Sequence, residues 1–373
     1  SVTYNTVLGG IEEKIEEIAA QIEQPGEPPH VIFDPSADVM FSLSEGKRAI
    51  VVDRSKLYSM IDEALETNKE VSIEIPVIEI PFEVNEEEIL SAITLRSSFS
   101  TNYASSSKAR KNNVARALTA FNGQVLMPGQ EMSFNTVTGS RTAENGYQQA
   151  NVILNGAYVK GTGGGVCQAS TTLYNALVLA DVEILEANHH SLPASYVPLS
   201  FDAMVSEGYS DLVFRNSLQA PIYIKTYYDD ENVYAEIYGQ PFEEGKTIRT
   251  RAEFIKVLPH TGDKIIQDTK GEYSSQVIYK GEYYRVRYPR EGYESKGYVQ
   301  YLQNGELVEE KEIRHDYYWP QEGLIVEGTE ELGEGMTLPE NDVEFIPPQK
   351  VTTTTTETVR AKIEKQRPTE YNP

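Results

Sequence analysis

The 373 residues carry a formal net charge of -24 and one cysteine, Cys167. That charge argues against phosphate backbones and anionic membrane surfaces as partners, so no nucleic-acid role is expected. The lone cysteine excludes an intramolecular disulfide, a Cys-rich zinc site and a CxxC redox pair.

The length allows roughly two to three domains, each with its own core. No apolar run reaches the about 18 residues of a spanning helix. The chain opens on Ser1 rather than Met. We therefore expect a processed form that has lost a signal or anchor segment, the one route by which a membrane would be involved. The 24 tyrosines, together with Thr and Val, point to abundant β structure. The fold class expected is α+β.

Residues 1–29 hold one helical pattern, with Ile11, Ile15, Ile18 and Ile22 in phase, closed by the Pro-rich stretch 24–29. Residues 30–95 read as a small α+β module. It has apolar residues around Val31–Phe33 and a strand at Ala49–Val52. Asp53 caps a helix whose buried face is Leu57, Ile61 and Leu65, and Val71, Ile73, Ile75 and Val77 alternate as a strand. Residues 96–107 are Ser-rich and read as a linker or extended lead-in.

A central α+β domain spans 98–242. Val114, Leu118 and Phe121 mark a helix that stops at Asn122-Gly123. A hairpin is expected from Val152–Leu154 through Asn155-Gly156 to Ala157–Lys160. Then come Gly163-Gly164-Gly165 and a helix from about Gln168 to Ala180. Short strands are expected at Val182–Leu185, Tyr196–Val197, Phe201–Val205, Leu212–Phe214, Ile222–Thr226 and Val233–Ile237.

Residues 245–330 read as all-β. Strands are expected at Thr247–Ala252, Phe254–Val257, Ser275–Tyr279, Tyr283–Tyr288, Tyr298–Leu302, Leu307–Ile313 and Leu324–Val326, with a turn at Asn304-Gly305. Residues 331–373 are acidic and poor in pattern. With Pro347-Pro348 and the run Thr352–Thr356 they read as a flexible low-complexity tail.

Cys167 sits where glycine-rich backbone meets a helix N-terminus. Orphan N–H groups and the positive end of the helix dipole favour a thiolate there. A thiol at its ordinary pKa of about 8.5 is only a few per cent ionised at neutral pH. Bringing it to about 6.5 takes roughly 2.7 kcal/mol of differential stabilisation. An imidazole helps to supply that. Of the five histidines, His189 and His190 alone share a domain with Cys167.

Asp202, or a backbone carbonyl, can orient the imidazole. The glycines allow backbone N–H groups to approach a developing oxyanion. Arg141 and Arg110 suit a substrate carboxylate. Asn135, Ser170 and Thr171 can donate hydrogen bonds or cap the helix. The bland alternative is a cysteine buried as a small hydrophobe, with the arginines ion-paired at the surface. Val166 breaks the dinucleotide fingerprint begun by Gly161 and Gly163. Adjacent histidines on a strand face opposite ways, so no metal site and no cofactor is expected.

The span from about Ser98 to Gly239 resembles the VanW domain. The matching stretches are Pro128 to Asn135, Gly146-Tyr147, Gly163 to Gln168 continuing to Ala176, His190 to Pro193, Tyr196 to Pro198, Asp202-Ala203, Asp211-Leu212 and Pro221 to Ile224. Residues 30–95 look like the peptidoglycan-binding module that often precedes it. Residues 245–330 resemble the β module named for its five glycines that often follows it.

The resemblance implies an extracellular enzyme of the Gram-positive cell wall or the outer face of the cytoplasmic membrane. It implies L,D-transpeptidation of peptidoglycan stem peptides through a cysteine thioester, cross-linking third residues. Cys167 is then the nucleophile and His190 its base, with Asp202 as the orienting group. Gly164, Gly165, Gln168, Ser170, Arg141 and Tyr196 fall to the oxyanion and substrate-binding side. A non-catalytic wall-binding protein and a cysteine peptidase of stem peptides are the alternatives.

Overall fold

The computed structural model describes residues 10–66, 72–154, 157–338 and 340–365. It is a mixed α+β chain of two units, Ser1–Ile93 and Thr94–Pro373.

The first unit contains α1 (Ile11–Ile22), β1 (Val31–Phe33), β2 (Phe41–Leu43), β3 (Ala49–Val52), α2 (Arg54–Glu66), β4 (Val77–Ile80) and α3 (Glu86–Ser91). β1 pairs with β2 and β3 with β4, both antiparallel. Ile15 and Ala19 of α1 share one small core with Val52 and Leu57, so the first helix packs inside this unit. Arg54 links it further, bonding Glu16 and Glu23 at 2.7 Å each.

Two expectations are corrected here. Leu65 is exposed rather than on the buried face of α2. The strand expected over 71–77 begins only at Val77. Ile73 and Ile75 pack on the core without pairing, and Val71 lies outside the described residues. Pro76 has no N–H to give a ladder, so pairing starts one residue later, with Val77 opposite Val52.

The second unit opens with β5 (Thr94–Asn102), α4 (Lys108–Thr119), β6 (Gln124–Leu126), β7 (Glu131–Ser133), α5 (Phe134–Thr138), β8 (Gln149–Leu154), β9 (Ala157–Thr162) and α6 (Val166–Leu179). β10 (Glu183–Glu186), β11 (Val213–Arg215), β12 (Ile222–Tyr228) and β13 (Asn232–Gly239) follow. An antiparallel sheet of order β5-β13-β12-β6 carries α4 and α6 on one face. β10, β11 and β7 form a smaller sheet and β8–β9 a hairpin, whose turn at Asn155-Gly156 lies outside the described residues.

The Ser-rich stretch expected as a linker is largely strand β5. Its small hydroxyl side chains lie where α6 comes close. Ser97 Oγ donates to the Ala176 carbonyl at 2.6 Å, and Thr101 Oγ1 meets Thr172 Oγ1 at 2.8 Å. Polarity here serves close helix–sheet packing, with each buried group satisfied.

The strands expected at Tyr196–Val197 and Phe201–Val205 are absent from the assigned elements. This stretch crosses α6 as irregular chain, and helix side chains satisfy its backbone. Asn175 Nδ2 donates to the Phe201 carbonyl at 2.8 Å. Thr171 Oγ1 accepts from the Ala203 N–H at 3.0 Å, and Ser170 Oγ donates to the Ala203 carbonyl at 2.6 Å. The apolar alternation there records burial against a helix.

The remaining elements are β14 (Lys246–Leu258), β15 (Asp263–Gln267), β16 (Tyr283–Arg287), β17 (Gly292–Gln303), β18 (Glu306–Tyr318), β19 (Gly323–Glu327) and α7 (Thr353–Lys365). They make one antiparallel sheet of order β14-β17-β18 and a second of order β15-β19-β16, in which β15 and β19 run parallel. Two expected strands merge in β14, with a register shift between Phe254 and Lys256. Ser275–Tyr279 forms no strand: it leaves a turn at Gln276 and pairs only through the isolated bridge of Tyr279 to Glu330. The Asp268 carboxylate takes the N–H groups of Glu272 and Tyr273 and folds the segment back. The threonine run expected in a flexible tail opens α7, whose first turn is tied by Thr355 N–H to Thr352 Oγ1 at 3.2 Å. Val359 packs near Phe254 and Tyr318.

Val299 of β17 joins the main core with Phe121, Phe134, Leu173 and Phe214, so the β14-β17-β18 sheet is packed onto the central domain.

Candidate active site

Helix α6 begins after Gly165, whose φ of +109° is open to glycine and costly for any other residue. Each glycine of the run makes room for something different. A Cβ on Gly163 would lie 3.0 Å from Cβ of Arg141. One on Gly164 would lie 2.6 Å from the Asn151 carbonyl oxygen, and one on Gly165 2.8 Å from Cγ of Arg110. The run thus packs the turn between the β8–β9 hairpin, α4 and the Arg141 loop. Buried Asn113 fixes it by donating to the carbonyls of Gly164 and Gln148 at 3.0 and 2.9 Å.

Cys167 is the second residue of α6 and is half-buried. Its Sγ lies 3.4 Å from the Val205 carbonyl oxygen, and the His190 side chain is close enough to act on its charge. On the other side of that ring, Nδ1 is 2.6 Å from Oδ2 of Asp202, and the His190 backbone N–H donates to the same oxygen at 2.7 Å. Asp202 is 1% exposed. Sulfur, imidazole and carboxylate therefore stand in line, with Nδ1 committed to the carboxylate and Nε2 left to serve the sulfur.

The electrostatics follow from this line. Burial pushes the Cys167 thiol up, but the neighbouring His190 side chain, with help from the Arg141 charge, brings it below its ordinary value. Burial disfavours the His190 imidazolium, but Asp202 and Cys167 outweigh it and hold its pKa up at about 10. Burial also opposes the Asp202 carboxylate. The His190 hydrogen bond and the nearby His190 and Arg314 charges nevertheless keep its pKa low. A thiol held down beside an imidazole held up favours the thiolate–imidazolium form of the pair, with the Asp202 carboxylate behind it.

Other expected site residues divide into two groups. Tyr196 lies near the sulfur, on the side of Thr171. Burial and the Cys167 and Asp202 charges push its hydroxyl far above the usual tyrosine range. Arg141 is also near, and its side chain is 11% exposed. Its Nη2 bonds Asn135 Oδ1 and Thr138 Oγ1, while Nε and Nη1 have no hydrogen-bond partner among the described residues.

Gln168 and Ser170 do not line the site. The Gln168 amide donates to Thr101 Oγ1 and the Asn102 carbonyl at 3.0 and 2.9 Å and accepts from Arg110 at 2.6 Å, with the residue 1% exposed. Ser170 is fully buried against Ala203. At helical spacing Gln168 falls on a face turned from Cys167, while Ser170 shares its face but has its hydroxyl committed to the Cys167 and Ala203 carbonyls, so both serve as scaffold. Arg110 is held there too, by Ser106 and Gln168. His189 turns its ring to Tyr318, 4.8 Å away, rather than to the thiol. No group of three or more metal-ligating side chains occurs among the described residues.

Residues 109–238 match the family model of VanW like protein. The VanW-like segment thus contains the whole Cys167–His190–Asp202 line. The chain is 37% identical over 155 residues to the uncharacterized protein YoaR of Bacillus subtilis (strain 168), covering 41% of this chain and 51% of that one. It is 27% identical over 132 residues to the vancomycin B-type resistance protein VanW of Enterococcus faecalis (strain ATCC 700802 / V583), covering 34% of this chain and 48% of that one. The chain thus spans about half the length of these curated relatives.

Among solved structures, the IgA1 protease G5 domain is similar at 14% identity and a TM-score of 0.16, covering 23% of this chain and 94% of that one. The HP0197-G5 crystal structure is similar at 12% identity and a TM-score of 0.11, covering 22% and 97%. These two likenesses are too distant to carry a functional reading.

Sequence reasoning missed two residues that touch Asp202. Tyr318 Oη donates to its Oδ1 at 2.7 Å, and Arg314 Nη1 donates to its carbonyl. Both come from β18, well beyond the VanW-like segment. The one trace in the sequence is the alternation Arg314, Asp316, Tyr318, which puts two charges and an aromatic on a single strand face.

Proposed function

We propose that this chain is an extracellular peptidoglycan L,D-transpeptidase with Cys167 as nucleophile. The observation that carries the reading is the position of His190, which stands beside Cys167 and is hydrogen-bonded to Asp202 at 2.6 Å.

In the resting pair the imidazole already holds the thiol proton. The Cys167 thiolate attacks the carbonyl carbon of the third stem residue. As the tetrahedral adduct collapses, the C–N bond breaks, His190 gives its proton to the departing amine, and terminal D-alanine leaves. The acyl group stays on sulfur as a thioester. The side-chain amine of a diamino acid on a neighbouring stem then attacks that carbonyl and gives a proton to His190. The C–S bond breaks, and thiolate and imidazolium are restored with a new cross-link between third residues.

Backbone N–H groups around Gly164, Gly165 and the first turn of α6 stabilise the oxyanion. Arg141, whose Nε has no hydrogen-bond partner among the described residues and whose Nη1 stands 3.9 Å from Glu207 Oε1, receives the substrate carboxylate. Tyr196 forms part of the binding wall. Residues 30–95 hold the polymer.

The test is mass spectrometry of muropeptides incubated with wild type and Cys167→Ala. New cross-links between third residues with wild type alone are expected. Equal products from both proteins would sink the reading. Loss of D-alanine without cross-linking would assign the same thioester to water and make the protein a carboxypeptidase.

A further inference from the structure

We infer that the β14-β17-β18 sheet is part of the catalytic apparatus, with Tyr318 and Arg314 as positioning residues that hold Asp202 against His190. The inference rests on reading Cys167, His190 and Asp202 as the reacting line.

Asp202 has four contacts, and two come from β18. The Tyr318 hydroxyl donates to Oδ1 at 2.7 Å while accepting the Ser200 N–H at 2.9 Å. Its donor and acceptor roles are both committed, and its ring is 1% exposed, so it has one orientation. Arg314 donates to the Asp202 carbonyl and pairs with Asp316 at 2.8 Å. The charges alternate along the buried line: His190 positive, Asp202 negative, Arg314 positive, Asp316 negative.

β17 holds the same loop from beside it. Ser200 has a φ of +65°, a strained value for a residue with a side chain, and its hydroxyl meets Ser295 Oγ at 2.7 Å. A Cβ on Gly297 would lie 3.1 Å from the Ser200 carbonyl oxygen, so the strand is bare where the loop presses on it. His189 packs on the Tyr318 ring and bonds the His190 carbonyl at 2.7 Å, which ties the base's own peptide to the same tyrosine. The residues that complete the site therefore lie outside the family-matched segment 109–238.

The test is the pH profile of Cys167 alkylation by iodoacetamide in the full chain, which needs no substrate, with melting temperature measured alongside. The charged and titratable groups facing the line are Arg141 and Tyr196 from the loops and Tyr174 from α6. Arg314, Asp316 and Tyr318 face it from β18. Each is retained in the control Tyr317→Phe, the neighbour whose hydroxyl turns to Glu294.

Tyr318→Phe is expected to slow alkylation at pH 6 about tenfold, by moving the apparent thiol pKa up roughly one unit. Arg314→Gln is expected to move it the same way, with Arg314→Lys partly restoring wild-type behaviour. Tyr317→Phe is expected to match wild type. Should Tyr318→Phe fail to fold, Gly297→Ala, which presses on Ser200 without touching a charged group, gives the same readout. A wild-type profile in the folded β-sheet variants overturns the inference, provided that His190→Ala does shift the profile. A profile that His190→Ala leaves unmoved overturns the triad reading and this inference with it.

Discussion

Tyr318 and Asp202 are joined by a 2.7 Å hydrogen bond across 116 residues of sequence, and both are buried. A carboxylate so placed can neither rotate nor hydrate, and its free choice of partner is His190. Removing it as Asp202→Asn leaves the imidazolium without a counter-charge in a buried place. Thiolate-dependent alkylation at neutral pH and peptide turnover should each fall at least a hundredfold. Stability should fall by roughly 3 kcal/mol, as for other broken buried pairs. A rate assay with a denaturant melt checks both; unchanged turnover would remove Asp202 from the reaction.

His190→Ala should separate the causes acting on the sulfur. With the imidazole gone, the burial that pushes Cys167 up is no longer overcome. The alkylation profile should then move to the alkaline side of the ordinary thiol value of about 8.5. Reactivity at pH 7 should drop more than tenfold, while at high pH the rates converge.

Stability should depend on pH with a definite sign. His190 is held up to about 10 in the folded protein, above its unfolded value of about 6.5. Its contribution is complete below about pH 6.5 and is lost as pH rises through about 10. Cys167 and Asp202 have lowered values. Their contributions are present above their unfolded values and are lost as pH falls through the folded ones. In a Cys167→Ala background, which removes the thiol titration, adding His190→Gln should flatten the fall in melting temperature from neutral to alkaline pH. Parallel curves for the two proteins would contradict the assignment.

Gln168→Ala should behave as a scaffold change. It deletes a buried amide that serves Thr101, the Asn102 carbonyl and Arg110. A loss of about 2 kcal/mol in stability is expected from the unsatisfied groups. The pH profile of alkylation in the folded fraction should stay in place, and a displaced profile would return Gln168 to the site.

Gly164→Ala should cost more than Ala substitution at an exposed glycine such as Gly10, whose added Cβ meets nothing within 4 Å and whose φ is negative. At Gly164 the contact is backbone, 2.6 Å from the Asn151 oxygen, so the β8–β9 hairpin must shift. A melting experiment should show a penalty of about 1–3 kcal/mol. An unchanged midpoint would mean that the hairpin gives way freely.

Much of this arrangement is legible in local pattern. The helical phase of Val114, Leu118 and Phe121 predicts α4, and all three side chains are fully buried. The glycine lead-in and lone thiol predict a helix start at Cys167, which lies one residue inside it. The Asn304-Gly305 turn follows from residues that accept positive φ, and they have φ of 53° and 84°. What the pattern hides is long-range. Ser97 and Thr101 read as linker because their hydroxyls are satisfied by a helix about 70 or more residues later. Residues 196–205 read as strands because burial against α6 imitates alternation. Tyr318 and Arg314 carry no local mark of their partner, since no periodicity records which loop a strand will meet.

Helix α6 has no wet face: from Gln168 to Val178 every residue is buried. Such a helix cannot slide, rotate or fray at its start without opening the core, so the sulfur two positions inside it inherits the stiffness of the whole domain. In the proposed reaction, reorganisation at the moment of attack then falls on whatever peptide enters, and the protein's own share is spent during folding.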